Sequence, residues 1–312
     1  MPVRPNPIAF NTIINGYCKK GDMENAKSLF SLMASGDKDC LPDIVTYSTM
    51  VDGYCKIGEF DEAMGYMGEM MKIGHEPNIV TFNAIIYALC LRGKVDEAKR
   101  MMTEMRLNGV KENLATHTSI LRGFCFARRS DEAFQYFKQM GNSNTSLDAK
   151  CYELIVREYC KVKKPDKALS LIAEMRKKKM NLKVSSFNSV ISVLVARNDL
   201  NLAMSILKGM PEMGCPPNFV TFNTVISSLC RMRGMMAQAQ ELVLEMRRKG
   251  VNLDACLYGE LVKGYYRDGN RTKAEEVLRE AIVEGYIIDD DSFLAKVCLE
   301  MQTKAGWAKT IF

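Results

Sequence analysis

Eleven cysteines, two histidines and a recurring Asp-Glu pair are the residues of this 312-residue chain best able to do chemistry. Thiols could bind zinc, close disulfides or attack as nucleophiles. Imidazoles could move protons, and neighbouring carboxylates could divide acid and base roles. The spacing argues against each. No C-x-x-C pair occurs and the cysteine count is odd, so neither a zinc site nor a complete disulfide framework is written into the pattern. His75 falls between periodic segments, and His117 takes a place that aromatic residues hold elsewhere. Neither stands beside a nucleophile or carboxylate in a recognisable motif. The acidic pairs beginning at Asp61, Asp96 and Asp131 sit where acids favour a helix N-terminus. Lys177 to Lys179 reads as a solvated helix end. No glycine-rich phosphate loop or dinucleotide fingerprint is present. The expectation is a protein without catalysis, metal or cofactor.

The elements that place these residues are more telling. Apolar residues are 47% and charged residues 26%, ordinary for a folded soluble chain. No stretch approaches the roughly 20 apolar residues of a membrane span, and no secretory signal opens the chain. The net charge of +6 is compatible with an anionic partner. Against this plain background the chain repeats itself. IVTYSTMVDGYCK begins at Ile44, IVTFNAIIYALC at Ile79, FVTFNTVISSLCR at Phe219 and a divergent PIAFNTIINGYCK at Pro7. An alanine recurs at 26, 63, 98, 133, 168, 203, 239 and 274, in steps of 37, 35, 35, 35, 35, 36 and 35 residues. A methionine follows seven residues after each of the first seven. Eight units result: 7–43, 44–78, 79–113, 114–148, 149–183, 184–218, 219–254 and 255–289.

Each unit reads as two helices. In the second, Tyr47, Met50, Val51, Tyr54 and Cys55 form one apolar helical stripe, which Gly58 ends. Phe60, Ala63, Met67 and Met70 form another, closed by Gly74 and Pro77. The repeated alanine belongs where two helices cross closely. Cys18, Cys55, Cys90, Cys125, Cys160 and Cys230 share the twelfth place and read as small buried hydrophobes. One hairpin cannot bury its apolar faces alone, so the fold class is all-α: a right-handed α-solenoid of about eight stacked helix-turn-helix units.

The openings just quoted, the repeated Asp-Glu-Ala and the closing G-x-x-P-[ND] at Gly74–Asn78 and Gly214–Asn218 resemble the pentatricopeptide repeat, in its plain 35-residue class. The resemblance covers nearly the whole chain. Val3-Arg4-Pro5-Asn6 resembles the close of a preceding unit, so residues 1–6 are expected to be the end of one or a lead-in. Residues 290–312 are expected to form a capping segment with Trp307 as its lid.

The resemblance implies single-stranded RNA as partner, one base per unit, with no small molecule or membrane involved. It places base reading at the fifth and last places of a unit. Asn11 with Asp43 resembles a U combination, Ser48 with Asn78 an A, Asn83 with Asn113 a C or U, and Thr118 with Asp148 a G. Asn188 with Asn218 resembles C or U, and Asn223 with Asp254 a U. Glu153 with Lys183 matches no established combination, and Gly259 with Asp289 lacks a fifth-place side chain. The implied site is 5′-UAYGNYUN-3′, with Y a pyrimidine. Ile8, Val45, Val80 and Val220 at the second place would flank the bases. Lys19, Lys56, Lys161, Arg231 and Arg267 at the thirteenth would meet phosphates. The family acts mainly in mitochondria and plastids, on RNA stability, processing, splicing or translation. The alternative is a protein-binding scaffold of the tetratricopeptide kind, using the same solenoid surface for a peptide.

Overall fold

A computed structural model describes residues 6–36, 40–142 and 147–286. Residues 1–5, the seat of most of the expected lead-in, lie outside the described residues, as do Asp289 and the expected capping segment with Trp307. Among the described residues there are sixteen α-helices and no strand. They come as hairpins: α1 (Pro7–Lys20) with α2 (Met23–Ala34), α3 (Ile44–Ile57) with α4 (Phe60–Lys72), α5 (Ile79–Leu91) with α6 (Val95–Leu107), and α7 (Leu114–Phe126) with α8 (Ser130–Asn142). Then follow α9 (Ala149–Lys161), α10 (Pro165–Lys177), α11 (Val184–Ala196), α12 (Leu200–Gly209), α13 (Phe219–Arg231), α14 (Met236–Arg248), α15 (Ala255–Arg267) and α16 (Arg271–Val283).

The chain forms two compact units, residues 1–158 and 159–312. In the first, the first helices of successive hairpins pack side by side: α1 on α3, α3 on α5, α5 on α7. The second helices α2, α4 and α6 each pack on their own partner and on the next first helix. The second unit repeats this with α11 on α13 and α13 on α15.

The sequence places explain the packing. All eight repeated alanines are fully buried, and the seven following methionines are buried with them. A larger side chain in place of the alanine would drive the crossing helices apart. The six twelfth-place cysteines are buried too. Burial pushes the Cys55, Cys90 and Cys230 thiols up to about 12 and the Cys18 thiol to about 11. Thiols so suppressed are poor nucleophiles and act as small hydrophobes.

Turns end the helices where the pattern placed them. Gly58 closes α3 at φ 94°, in the left-handed region. The equivalent fifteenth place holds Arg128, Lys163 and Asn198 in the next units that lack glycine, at φ 58°, 55° and 60°. The turn geometry is therefore imposed by hairpin packing even where a side chain disfavours it. The extra residue of the seventh unit is taken up in the turn between α13 and α14, where Gly234 sits at φ 76° and donates its N–H to Asp268. In the sixth unit Pro211 stops α12 early and starts a 3-10 turn over Pro211–Met213, because proline has no N–H to continue the ladder.

Glycines at the tenth place allow the closest approaches. A Cβ on Gly123 would lie 2.8 Å from Cys90 Sγ, 3.0 Å from Cys90 Cβ and 3.2 Å from Val95 Cγ2. Gly264 would meet the Cys230 carbonyl oxygen at 3.0 Å. Gly16, at the same place with no hairpin before it among the described residues, has nothing within 4 Å.

Candidate nucleic-acid interface

The last place of a unit is also the N-cap of the next first helix. Asp43, Asn78, Asn113, Asp148, Asn218 and Asp254 each accept a backbone N–H of the helix that follows, satisfying a donor the helix itself cannot. Lys183 is the exception: it has only donors, and α11 starts without a side-chain cap. Because the cap requirement fixes the last-place side chain, its position is set by the folding of the next unit.

The fifth-place side chain reaches this cap across the hairpin junction. Asn11 Nδ2 donates to Asp43 Oδ1 at 3.2 Å, Asn83 Nδ2 to Asn113 Oδ1 at 3.3 Å, and Asn188 Nδ2 to Asn218 Oδ1 at 3.3 Å. Two pairs meet through an intermediary. Ser48 Oγ lies 2.8 Å from Thr81 Oγ1, which donates to Asn78 Oδ1 at 3.3 Å. Thr118 Oγ1 lies 3.3 Å from Cys151 Sγ, whose backbone N–H donates to Asp148 Oδ1 at 3.0 Å. Ser48 is buried, only 4% exposed, whereas Asn11, Asn83 and Asn188 are half-buried and their partners Asn113 and Asn218 exposed. Among the described residues no hydrogen bond joins Asn223 to Asp254; Asn223 Oδ1 instead accepts from Ser227 Oγ at 2.9 Å. Gly259 is buried and its counterpart Asp289 lies outside the described residues.

The sequence reading missed one participant. Threonine at the third place of the following unit, as Thr46, Thr116 and Thr221, joins both members of a pair. The signal was present: a threonine three residues after an Asp or Asn, in front of an apolar run, is a capping-box spacing. The box is formed at Asp43, Asn113 and Asn218.

Electrostatics favours an ionised Asp43. Burial works against its charge, but the backbone and hydroxyl of Thr46 and the Asn11 amide together hold its carboxyl below the usual value. It therefore presents an acceptor at neutral pH. His117, hydrogen bonded to Tyr136 Oη at 2.7 Å, is kept below its ordinary value by burial and serves in packing.

Around the pairs lies an apolar fringe. Ile8, Val45, Val80 and Val220 are 52–73% exposed, which is unusual for branched aliphatics repeated at one register. At the thirteenth place the cations differ. Lys19 is exposed and makes no ion pair among the described residues. Lys56 pairs with Asp52 in its own helix, Arg231 Nε lies 3.3 Å from Glu260, and Lys161 is exposed. Arg267 is committed elsewhere: its Nη1 donates to the Cys230 carbonyl at 2.7 Å.

Hairpins that stack first helix on first helix, with a polar pair bonded across the junction in the first, third and sixth units, define a helical repeat protein built on a two-helix unit. The sequence model of the PPR repeat family matches residues 5–56, 42–91, 77–126, 182–231 and 217–267, that of the PPR repeat matches 115–144, and that of the pentatricopeptide repeat domain matches 137–197. The chain belongs to the pentatricopeptide repeat family. It is similar to the crystal structure of the pentatricopeptide repeat protein PPR10 from maize, with 26% identity and a TM-score of 0.61 over 97% of this chain and 45% of that one. The structure of PPR10 in complex with an 18-nt psaJ RNA element matches with 25% identity and a TM-score of 0.52, over 97% of this chain and 50% of that one. The chain thus spans about half the length of these two structures. No curated protein matches it by sequence.

Proposed function

We propose that this chain binds single-stranded RNA one base per unit, at a site of the form 5′-UAYGNYUN-3′, and acts by occupancy on an organellar transcript in a mitochondrion or plastid, without catalysis of its own. One observation carries the reading: in the first, third and sixth units a fifth-place asparagine is hydrogen bonded to the last-place side chain across the hairpin junction, and an exposed aliphatic, Ile8 or Val80, stands at the second place of the first and third. Hydrogen-bonding atoms at one-unit spacing suit base edges, and the aliphatics suit base planes. The likeness to an RNA-bound PPR10 structure supports it. The test is a fluorescence-anisotropy titration comparing an oligomer containing UAUGAUUA with a scrambled RNA and with the DNA equivalent. Strong preference for the designed RNA is expected. Equal binding to all RNAs would sink the base assignments, and no RNA binding at moderate salt would put the protein-binding scaffold first.

The thirteenth-place cations separate by their present partners. Lys19→Gln should reduce the dependence of log affinity on log salt by about 0.7, the loss of one phosphate contact on a single strand. Arg267→Gln should leave that slope nearly unchanged, because its guanidinium already serves the Cys230 carbonyl. Equal changes for the two variants would refute the distinction.

A further inference from the structure

We infer that the third-place hydroxyl of each following unit is a positioning residue for base reading: Thr46, Thr116 and Thr221 set the orientation of Asn11, Asn83 and Asn188, and Leu257 withholds that control from Asn223. The inference rests on the RNA-binding reading above.

A threonine hydroxyl has one hydrogen to give and two lone pairs to receive. In all three knots Oγ1 accepts the N-cap backbone N–H, from Asp43 at 3.1 Å and from Asn113 and Asn218 at 3.2 Å. Its hydrogen is therefore directed at an acceptor. The fifth-place Oδ1 lies at 2.7, 2.6 and 2.7 Å, and the last-place Oδ1 at 2.8, 3.1 and 2.9 Å. The asparagine oxygen is the nearer in every case.

That contact fixes the amide. With its oxygen on the threonine, each asparagine turns Nδ2 to the last-place oxygen and keeps its second N–H as an outward donor. Rotating the amide by half a turn would bring its oxygen against the last-place oxygen, at the 3.2–3.3 Å now spanned by a hydrogen bond. Two acceptors facing one another there are repulsive, most of all beside the ionised Asp43. The threonine thus presents a donor of fixed position, which a pyrimidine ring carbonyl can accept.

The seventh unit is a departure within the same chain. Its following third place is Leu257, fully buried and without a hydroxyl. Asp254 still caps α15 through the Leu257 N–H at 2.7 Å, so the helix is intact. Asn223 nevertheless bonds Ser227, one turn along its own helix, rather than Asp254. Capping survives without the hydroxyl, and the cross-junction pairing does not.

The experiment measures affinity for RNAs differing only at the third or only at the seventh base, with wild type, Thr116→Val, Thr116→Ser and Leu257→Thr. Thr116→Val should lower pyrimidine-over-purine discrimination at the third base about fivefold, the effect of one hydrogen bond, and leave the other bases unaffected. Thr116→Ser should retain it. Leu257→Thr should raise discrimination at the seventh base, a gain that loss of folding cannot mimic. In the RNA-free protein, the Asn83 side-chain amide should become more mobile by NMR relaxation in Thr116→Val and not in Thr116→Ser. Selective wild-type binding with unchanged discrimination in both Thr116→Val and Leu257→Thr would overturn this inference alone. Wild-type protein that binds no RNA would overturn it together with the functional reading beneath it.

Discussion

Asn113→Asp should turn the third unit from one that accepts either pyrimidine into one that selects U. Asn113 uses Oδ1 for all its inward bonds, to Asn83 Nδ2, the Thr116 N–H and the Thr116 hydroxyl. Asp43 uses Oδ1 for the same three partners in the first unit. The two residues therefore sit alike, and they differ at the other terminal atom: an amide nitrogen at 113, a carboxylate oxygen at 43. Aspartate caps a helix as well as asparagine does, so α7 keeps its start and the protein its stability. Only the outward group changes, from donor to acceptor. The ring N–H of U satisfies that acceptor, whereas the unprotonated ring nitrogen of C faces it with a second lone pair. Two polar groups desolvated without a bond cost about 1–3 kcal/mol, which is roughly 5- to 150-fold in affinity. Titrations with RNAs carrying U or C at the third base read this directly. A ratio unchanged from wild type would remove Asn113 from the reading surface.

Gly123→Ala and Gly16→Ala should move stability in opposite directions, although both replace the tenth residue of a first helix. Alanine in a helix interior is favoured over glycine by about 1 kcal/mol. Gly16 has open space, so Gly16→Ala should stabilise by about 0.5–1 kcal/mol. At Gly123 the new methyl would stand 3.0 Å from Cys90 Cβ, an atom bonded directly to the α5 backbone that cannot swing aside. Overpacking of this kind costs about 1–3 kcal/mol, which set against the helical gain leaves a net loss of up to about 2 kcal/mol. Repeat arrays are held by neighbour interfaces, so the loss should fall on the junction of the third and fourth hairpins. Urea unfolding of the two variants, with unchanged m-values, is the measurement. Stabilisation by both would show that α5 and α7 have room to separate.

Much of this was legible in the sequence because repetition averages out local ambiguity. One hairpin such as Ile44–Lys72 could be read as two amphipathic helices. Eight in register identified the buried alanines, methionines and cysteines before any coordinate. The glycine turns at Gly58 and Gly74 were visible for the same reason. The arrangement of the pairs was less legible. Place numbers do not say that Ser48 is buried against Thr81, or that Asn223 turns to Ser227. Those outcomes depend on what the next unit carries at its third place, which where a hydroxyl stands there is a contact 33 or 35 residues away in sequence. The sharing of the thirteenth-place cations was hidden too, since Arg267 looks in sequence like Lys19 and differs only in the carbonyl it reaches.

The cap shared across each junction also puts the two periods of the chain out of phase. A hairpin begins at its first place, but the hydrogen-bonded set proposed to present a base begins at the fifth place and ends at the third place of the next hairpin, as Asn11, Asp43 and Thr46 do. A graft cut between hairpins therefore always splits such a set: the incoming piece brings the hydroxyl that serves its predecessor and leaves its own with its successor. Copying residues 255–289 into the middle of the array would place Leu257 under the amide of whatever precedes it. On the proposed reading, recombination at hairpin borders should edit two letters at once, and clean single-letter exchange should require breakpoints inside the first helix, between its fourth and fifth places.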